Sequence, residues 1–156
     1  MKRLLPGIII LLSACTPLAS QEEPITLAFT GDLLMHIAVK KSAELNAGAD
    51  RAATNDGFDF LFNRAYAHLQ SPDLLIGNME FPVVHPFIQD GFVFNCPPGI
   101  MGALNRAGFD ILVNANNHIL DHGTRGLLST LDYVQSGGMV SLGVARDEGT
   151  ARAGVV

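Results

Sequence analysis

A parallel α/β layered fold is what this 156-residue sequence predicts, and three observations predict it. Short apolar, β-favouring runs alternate with amphipathic helical stretches, the rhythm of βαβ units. The strand runs are continuously apolar rather than alternating, as in strands covered on both faces. The polar residues able to carry chemistry fall where those strands end. Right-handed crossovers would lay the helices against the sheet.

The elements follow in order. Ile25 to Thr30 is the first strand, stopping at Gly31-Asp32. Residues of about 37–47, rich in Ala, Lys, Glu and Leu, read as a helix, and a polar loop with Gly48, Asn55, Asp56 and Gly57 follows. Phe58, Leu61, Phe62, Ala65 and Leu69 then mark one face of a single helix that Pro72 ends. Asp73 to Gly77 is the second strand. Residues 78–99 hold four prolines and no regular period, which predicts a long ordered loop with a hairpin at Phe92 to Phe94. Ile100 to Ala107 is a short helix with Gly108 as its C′ residue. Phe109 to Val113 is the third strand. Leu127, Leu128, Leu131 and Val134 mark a helix closing at Gly137-Gly138, and Met139 to Leu142 is the fourth strand. Ala153 to Val156 reads as the start of a fifth.

Only 16% of the residues are charged and 48% are apolar, against about 25% charged in an ordinary soluble domain. The N-terminus holds much of that excess. After the basic Met1-Lys2-Arg3, residues 4–14 carry Ser13 as their only polar side chain. Such a run spans roughly 16 Å as a helix, about half a bilayer's hydrocarbon core. It is too short to cross a membrane and fits a secretory signal peptide over residues 1–14. Leu12-Ser13-Ala14-Cys15 resembles a bacterial lipobox, so cleavage would leave a lipidated Cys15 attached to the membrane. Residues 15–24 would be a tether, and a domain over 25–156 would sit outside the cytoplasm in the cell envelope. Removing residues 1–14 takes Lys and Arg from 10 to 8 against 15 acidic residues, a formal charge of −7. That acidity argues against a nucleic-acid partner, and the sequence offers no obvious Lys or Arg cluster. Cys96 then stands alone, excluding a disulfide scaffold and a cysteine-based zinc cluster. It reads as a packing residue.

Ligands of open α/β sheets bind at the carboxyl ends of strands, which reduces the polar residues to a short set. After strand one come Asp32 and His36; after strand two, Asn78 and Glu80; after strand three, Asn114, Asn116, Asn117, His118, Asp121 and His122. Carboxylate, amide and imidazole groups at one edge suit divalent Mn, Fe or Zn. In a two-ion arrangement Asp32 and Glu80 would be ligands, Glu80 bridging, and Asn117 would ligate through its amide oxygen. His118 would stand beside the metals as general acid or orienting group. His36 and Asn78 are further candidates. Asp121 is one as well, although it equally suits a helix N-cap, and the asparagines equally suit left-handed turn positions. His68 and His85 lie outside any motif.

The segment Asn78-Met-Glu80-Phe-Pro82, followed by Ala107-Gly-Phe-Asp-Ile-Leu-Val-Asn-Ala-Asn-Asn-His118-Ile-Leu-Asp121-His-Gly123, resembles the CapA/PgsA family of bacterial capsule and poly-γ-glutamate biosynthesis proteins. Ala28 to Asp32 and Gly126 to Leu131 agree in order and spacing, so the resemblance covers roughly residues 25–156. It implies a calcineurin-like metallophosphoesterase fold, an α/β/β/α sandwich. Asp32 then matches the first-strand ligand, Glu80 the bridging acid and Asn117-His118 the superfamily's Asn-His pair. His36 matches less closely, because the superfamily usually has one residue between the Asp and the His. The resemblance also implies polymer assembly or export, with an anionic polymer or the capsule-synthesis machinery as partner. Two function classes follow: a tethered component of polymer synthesis, and a metal-dependent hydrolase of a phosphoester. No histidine follows His122, while the superfamily takes further ligands from later strands. The expectation is that this chain is the N-terminal half of such a sandwich.

Overall fold

The computed structural model describes residues 23–87 and 91–152. The expected signal peptide, Cys15, most of the tether and the fifth strand at 153–156 lie outside the described residues. Four strands pair in parallel in the order β1 (Leu27–Leu33), β2 (Leu74–Met79), β3 (Ile111–Val113) and β4 (Val140–Leu142). Between them run α1 (Ile37–Leu45), α2 (Asp59–Phe62), α3 (Tyr66–Leu69), α4 (Gly99–Ala107) and α5 (Gly123–Ser136), and α6 (Glu148–Arg152) follows β4. The α/β class and the parallel sheet are as the alternation predicts, consistent with part of a metallophosphoesterase-like fold.

Adjacent parallel strands need a crossover, and the core lies between those crossovers and the sheet. Leu75, Met79 and Leu112 of the sheet are buried with Phe58, Phe81, Ile100, Leu104 and Val134. Gly108 ends α4 in the left-handed conformation, φ 98°, and donates back to Asn105 and Leu104. A residue without Cβ suits that turn.

Several expectations change. Among the described residues the strands are covered on one face, and Leu27, Phe29 and Val140, on the side away from the core, are exposed. β1 does not stop at Thr30. A register shift between Phe29 and Asp32 carries it on, and Asp32 pairs with Asn78 inside the sheet. The single helix from Phe58 to Leu69 is two short ones, because the Ala65 N–H reaches back only to the Phe62 carbonyl and closes α2 early. The apolar face survives the break: Phe58 and Phe62 are buried, and Leu61, Tyr66 and Leu69 pack on the core. Tertiary packing overrides the periodicity there. At the expected hairpin Val93 forms a bridge, and residues 88–90 before it lie outside the described residues.

The long loop after β2 is held by side chains that replace a sheet ladder. Val83 N–H donates to Thr130 Oγ1 at 2.9 Å, and Ser129 donates to the Val83 carbonyl at 2.8 Å. The buried Asn95 amide takes the Val84 N–H at 3.1 Å and donates to the Val84 and Pro86 carbonyls at 3.0 and 3.3 Å. Asn95→Ala strands these buried groups. It is expected to lower the unfolding free energy in urea by about 2–4 kcal/mol, at about 1–3 kcal/mol for a buried group left unsatisfied.

At the other end of the sheet, Asp73 clips β2 to β1. Its carboxylate accepts from the Thr26 N–H and hydroxyl, both at 2.7 Å. Those two donors hold the Asp73 carboxyl below the usual range. A depressed folded value gives stability that is complete above the unfolded value of about 3.9 and is lost as pH falls through the folded one. The gap in thermal midpoint between wild type and Asp73→Ala is therefore expected to be widest near neutrality and to narrow in acid. No helix among the described residues is long and apolar enough to cross a membrane.

Candidate functional site

The register of the sheet assembles the site. Asp32 lies opposite Asn78 across β1 and β2, and Asn78 lies opposite Val113 at the end of β3. The carboxyl ends of three strands thus bring together residues 46 and 38 positions apart. Asn78 Nδ2 donates to Asp32 Oδ1 at 2.8 Å. Asn116 Nδ2 donates to the Met79 carbonyl at 2.9 Å and to Asn78 Oδ1 at 3.2 Å. Its own Oδ1 receives the His118 N–H at 3.1 Å. The chain after β3 is thereby tied to the end of β2, and His118 is aimed by Asn116.

Glu80 joins this group from the residue after β2, its N–H bonded to the Leu33 carbonyl at 3.2 Å. Burial pushes its carboxyl up, and the negative charge of Asp32 and a hydrogen bond shared with Asp32 push it further. His118 is near enough to pull it part of the way down. Two carboxyl groups this close resist ionising together, and a cation between them would remove that repulsion.

His118 and Asp121 form the second half of the site. His118 Nδ1 lies 2.9 Å from Asp121 Oδ2, with both side chains mostly buried. Asp121 Oδ2 also accepts the Phe94 N–H at 2.6 Å. Asp121 is therefore not the N-cap of α5. His122 holds that position, without a side-chain cap bond, and its Nε2 meets the Phe94 carbonyl at 3.1 Å. The Phe94 ring packs on His118 with centroids 4.3 Å apart and meets His36 edge-on at 6.3 Å. A carboxylate on Nδ1 sets the tautomer and leaves Nε2 for proton exchange.

The structure therefore brings together Asp32, Asn78, Glu80, His118 and Asp121. His36 is exposed at the start of α1 and reaches the group only through Phe94. Asn117 is exposed and makes no side-chain hydrogen bond among the described residues, whereas its neighbour Asn116 carries the network. Asn116 could have been singled out from the Asn-Ala-Asn-Asn-His run. Phe94 carries no such signal, being one aromatic in an irregular loop.

The two carboxylates that meet here, Asp32 and Glu80, are hard oxygen donors of the kind that suit Mn or Mg better than Zn, which prefers nitrogen and sulfur. Among the described residues no three His, Cys, Asp or Glu side chains gather into a metal-holding group. The ligands of a second ion are not assembled among them.

Comparison with known proteins gives two findings. A family model described as "Bacterial capsule synthesis protein PGA_cap" matches residues 26–156. Capsule biosynthesis protein CapA of Bacillus anthracis is 27% identical over 139 residues, covering 80% of this chain and 31% of that protein. The chain thus spans about a third of the length of that curated relative.

Proposed function

The chain belongs to the bacterial capsule synthesis family PGA_cap, and from that premise we propose that it is an envelope protein of capsule or poly-γ-glutamate biosynthesis or export, lipid-anchored through Cys15. At the carboxyl ends of its strands it holds a divalent cation. Asp32 and Glu80 are the ligands, and Asn117, exposed and outside their hydrogen-bond network, would have to turn in to add its amide oxygen.

The observation that carries this reading is the Asp32–Glu80 pair. Two neighbouring carboxyl groups, one raised by burial and by its partner's charge, are an arrangement whose repulsion a bound cation would relieve. Once bound, the cation supplies electrophilic stabilisation of an anionic group on the ligand. The chain's own residues do the rest. Asn78 and Asn116 orient Asp32 and the His118 backbone, and Asp121 keeps His118 Nδ1 engaged so that Nε2 can pass a proton.

A second reading, a phosphoester hydrolase, is favoured by the His118–Asp121 contact at 2.9 Å. Asp121 holds Nδ1, and Nε2 makes no hydrogen bond among the described residues.

Calorimetric titration of the purified protein with MnCl2 tests the proposal. A single saturable event in the micromolar range is expected, and no heat above dilution would overturn the metal reading. For the second reading, Mn-dependent turnover of an aryl phosphate that His118→Ala removes is expected. Turnover unchanged in that variant would overturn it.

A further inference from the structure

Residues 23–152 contain eight Lys and Arg, and most of them are spent within the fold. Arg106, Arg146 and Arg152 pair with Asp59, Asp132 and Glu148, and Arg125 donates to the His85 carbonyl. Lys40 and Lys41 have no ion pair among the described residues. With Arg51 they line one groove of about 530 Å3, whose apolar lining includes Phe58, Phe87 and Pro97. The sequence shows no basic cluster because Arg51 lies ten residues beyond Lys41.

Glu44 and Asp56 complete the lining, so three cations face two carboxylates. Asp56 engages Arg51 only through Nε, at 3.0 Å, leaving both terminal guanidinium nitrogens without a hydrogen bond among the described residues. Lys40 is half-buried and donates to the Asn95 carbonyl. A partly desolvated ammonium with a neutral partner is an uncompensated charge. An incoming carboxylate would compensate it.

We propose that this groove is a binding site for an acidic chain whose carboxylates are carried on aliphatic spacers. The apolar lining selects the spacers and the three cations select the carboxylates, while a sugar–phosphate chain would leave the apolar lining unused. The groove shares no lining residue with the Asp32–His118 site. The two flank one segment: Phe94 packs on His118, Asn95 holds Lys40, and Pro97 lines the groove. A chain seated in the groove therefore lies next to the candidate site. The assignment rests on the capsule-polymer reading for its biological sense.

Fluorescence anisotropy with a fluorescein-labelled poly-L-glutamate decamer, on the full chain at pH 7 in low salt and EDTA, tests it. The double variant Lys41→Gln/Arg51→Gln is expected to bind at least about tenfold more weakly. Arg64→Gln, an exposed cation outside the groove, is expected to change binding by less than about twofold. Both replaced groove residues are exposed, so the urea midpoint of the double variant should match wild type. Wild-type affinity in the double variant would overturn the proposal, as would an equal loss in Arg64→Gln. Polyphosphate of matched charge is expected to bind several-fold more weakly, and equal or tighter binding would overturn the carboxylate assignment. Because EDTA removes divalent cations from the assay, failure here is distinguishable from failure of the metal reading.

Discussion

Asp32→Asn is expected to weaken Mn2+ binding on the order of a hundredfold in calorimetry. It removes one of the two carboxylates at the carboxyl end of the sheet, whereas losing a positioning partner alone typically costs 10–100-fold. Asn116→Ala supplies that milder comparison. It frees Asn78 and the His118 backbone and is expected to cost about tenfold. Glu80→Gln separates the two demands on the site. Its metal affinity should fall as in Asp32→Asn, while the metal-free protein becomes more stable, because the repulsion between Glu80 and Asp32 has gone. The pH dependence follows. The Glu80 carboxyl titrates above its ordinary value, so its favourable contribution is complete at low pH and lost as pH rises through the folded value. Relative to wild type, Glu80→Gln should therefore gain stability toward neutral pH and show no advantage in acid. An equal advantage at all pH values would mean that the two carboxyl groups do not interact.

Gly57→Ala is expected to be the most destabilising glycine-to-alanine change among the described residues, by roughly 3–5 kcal/mol in urea unfolding. A Cβ there would fall 1.9 Å from the Ala43 carbonyl oxygen and 2.8 Å from the Ala47 nitrogen, both backbone atoms that cannot swing aside. The position also has φ +87°, where an L-residue pays about 1–2 kcal/mol. Gly48→Ala isolates that conformational part. Gly48 has φ +69° with nothing within 4 Å of its would-be Cβ, so it should lose only about 1 kcal/mol. Similar losses in the two variants would show that the close approach of the Gly57 turn to α1 contributes nothing. That approach matters beyond stability, because α1 carries Lys40 and Lys41, and Asp56 and Phe58 beside Gly57 line the same groove.

Much of the architecture is legible in the chain because its causes are local. Apolar runs ending in Gly, Asp or Asn mark β1 to β4 to within a few residues, and Gly108 closes α4 where the sequence places it. Asp32, Asn78, Glu80, His118 and Asp121 are recognisable from position alone, each just at or beyond a strand's carboxyl end.

Other features depend on which distant segments meet. The shift between Phe29 and Asp32 that brings Asp32 opposite Asn78 is settled by pairing across 46 residues. The choice of Asn116 over Asn117 for the network is made by the position of the Met79 carbonyl, not by either asparagine. Phe94 gains its place between His36 and His118 only because Asp121 and His122 grip its backbone. Lys40, Lys41 and Arg51 become neighbours when the loop after α1 folds back at Gly57. By itself the sequence determined the order of the elements and the chemical groups offered at the strand ends, since turn chemistry and apolar periodicity act within a few residues. The tertiary structure alone decided which of those groups touch and where the cations gather, since register and side-chain contact are set by packing between segments tens of residues apart.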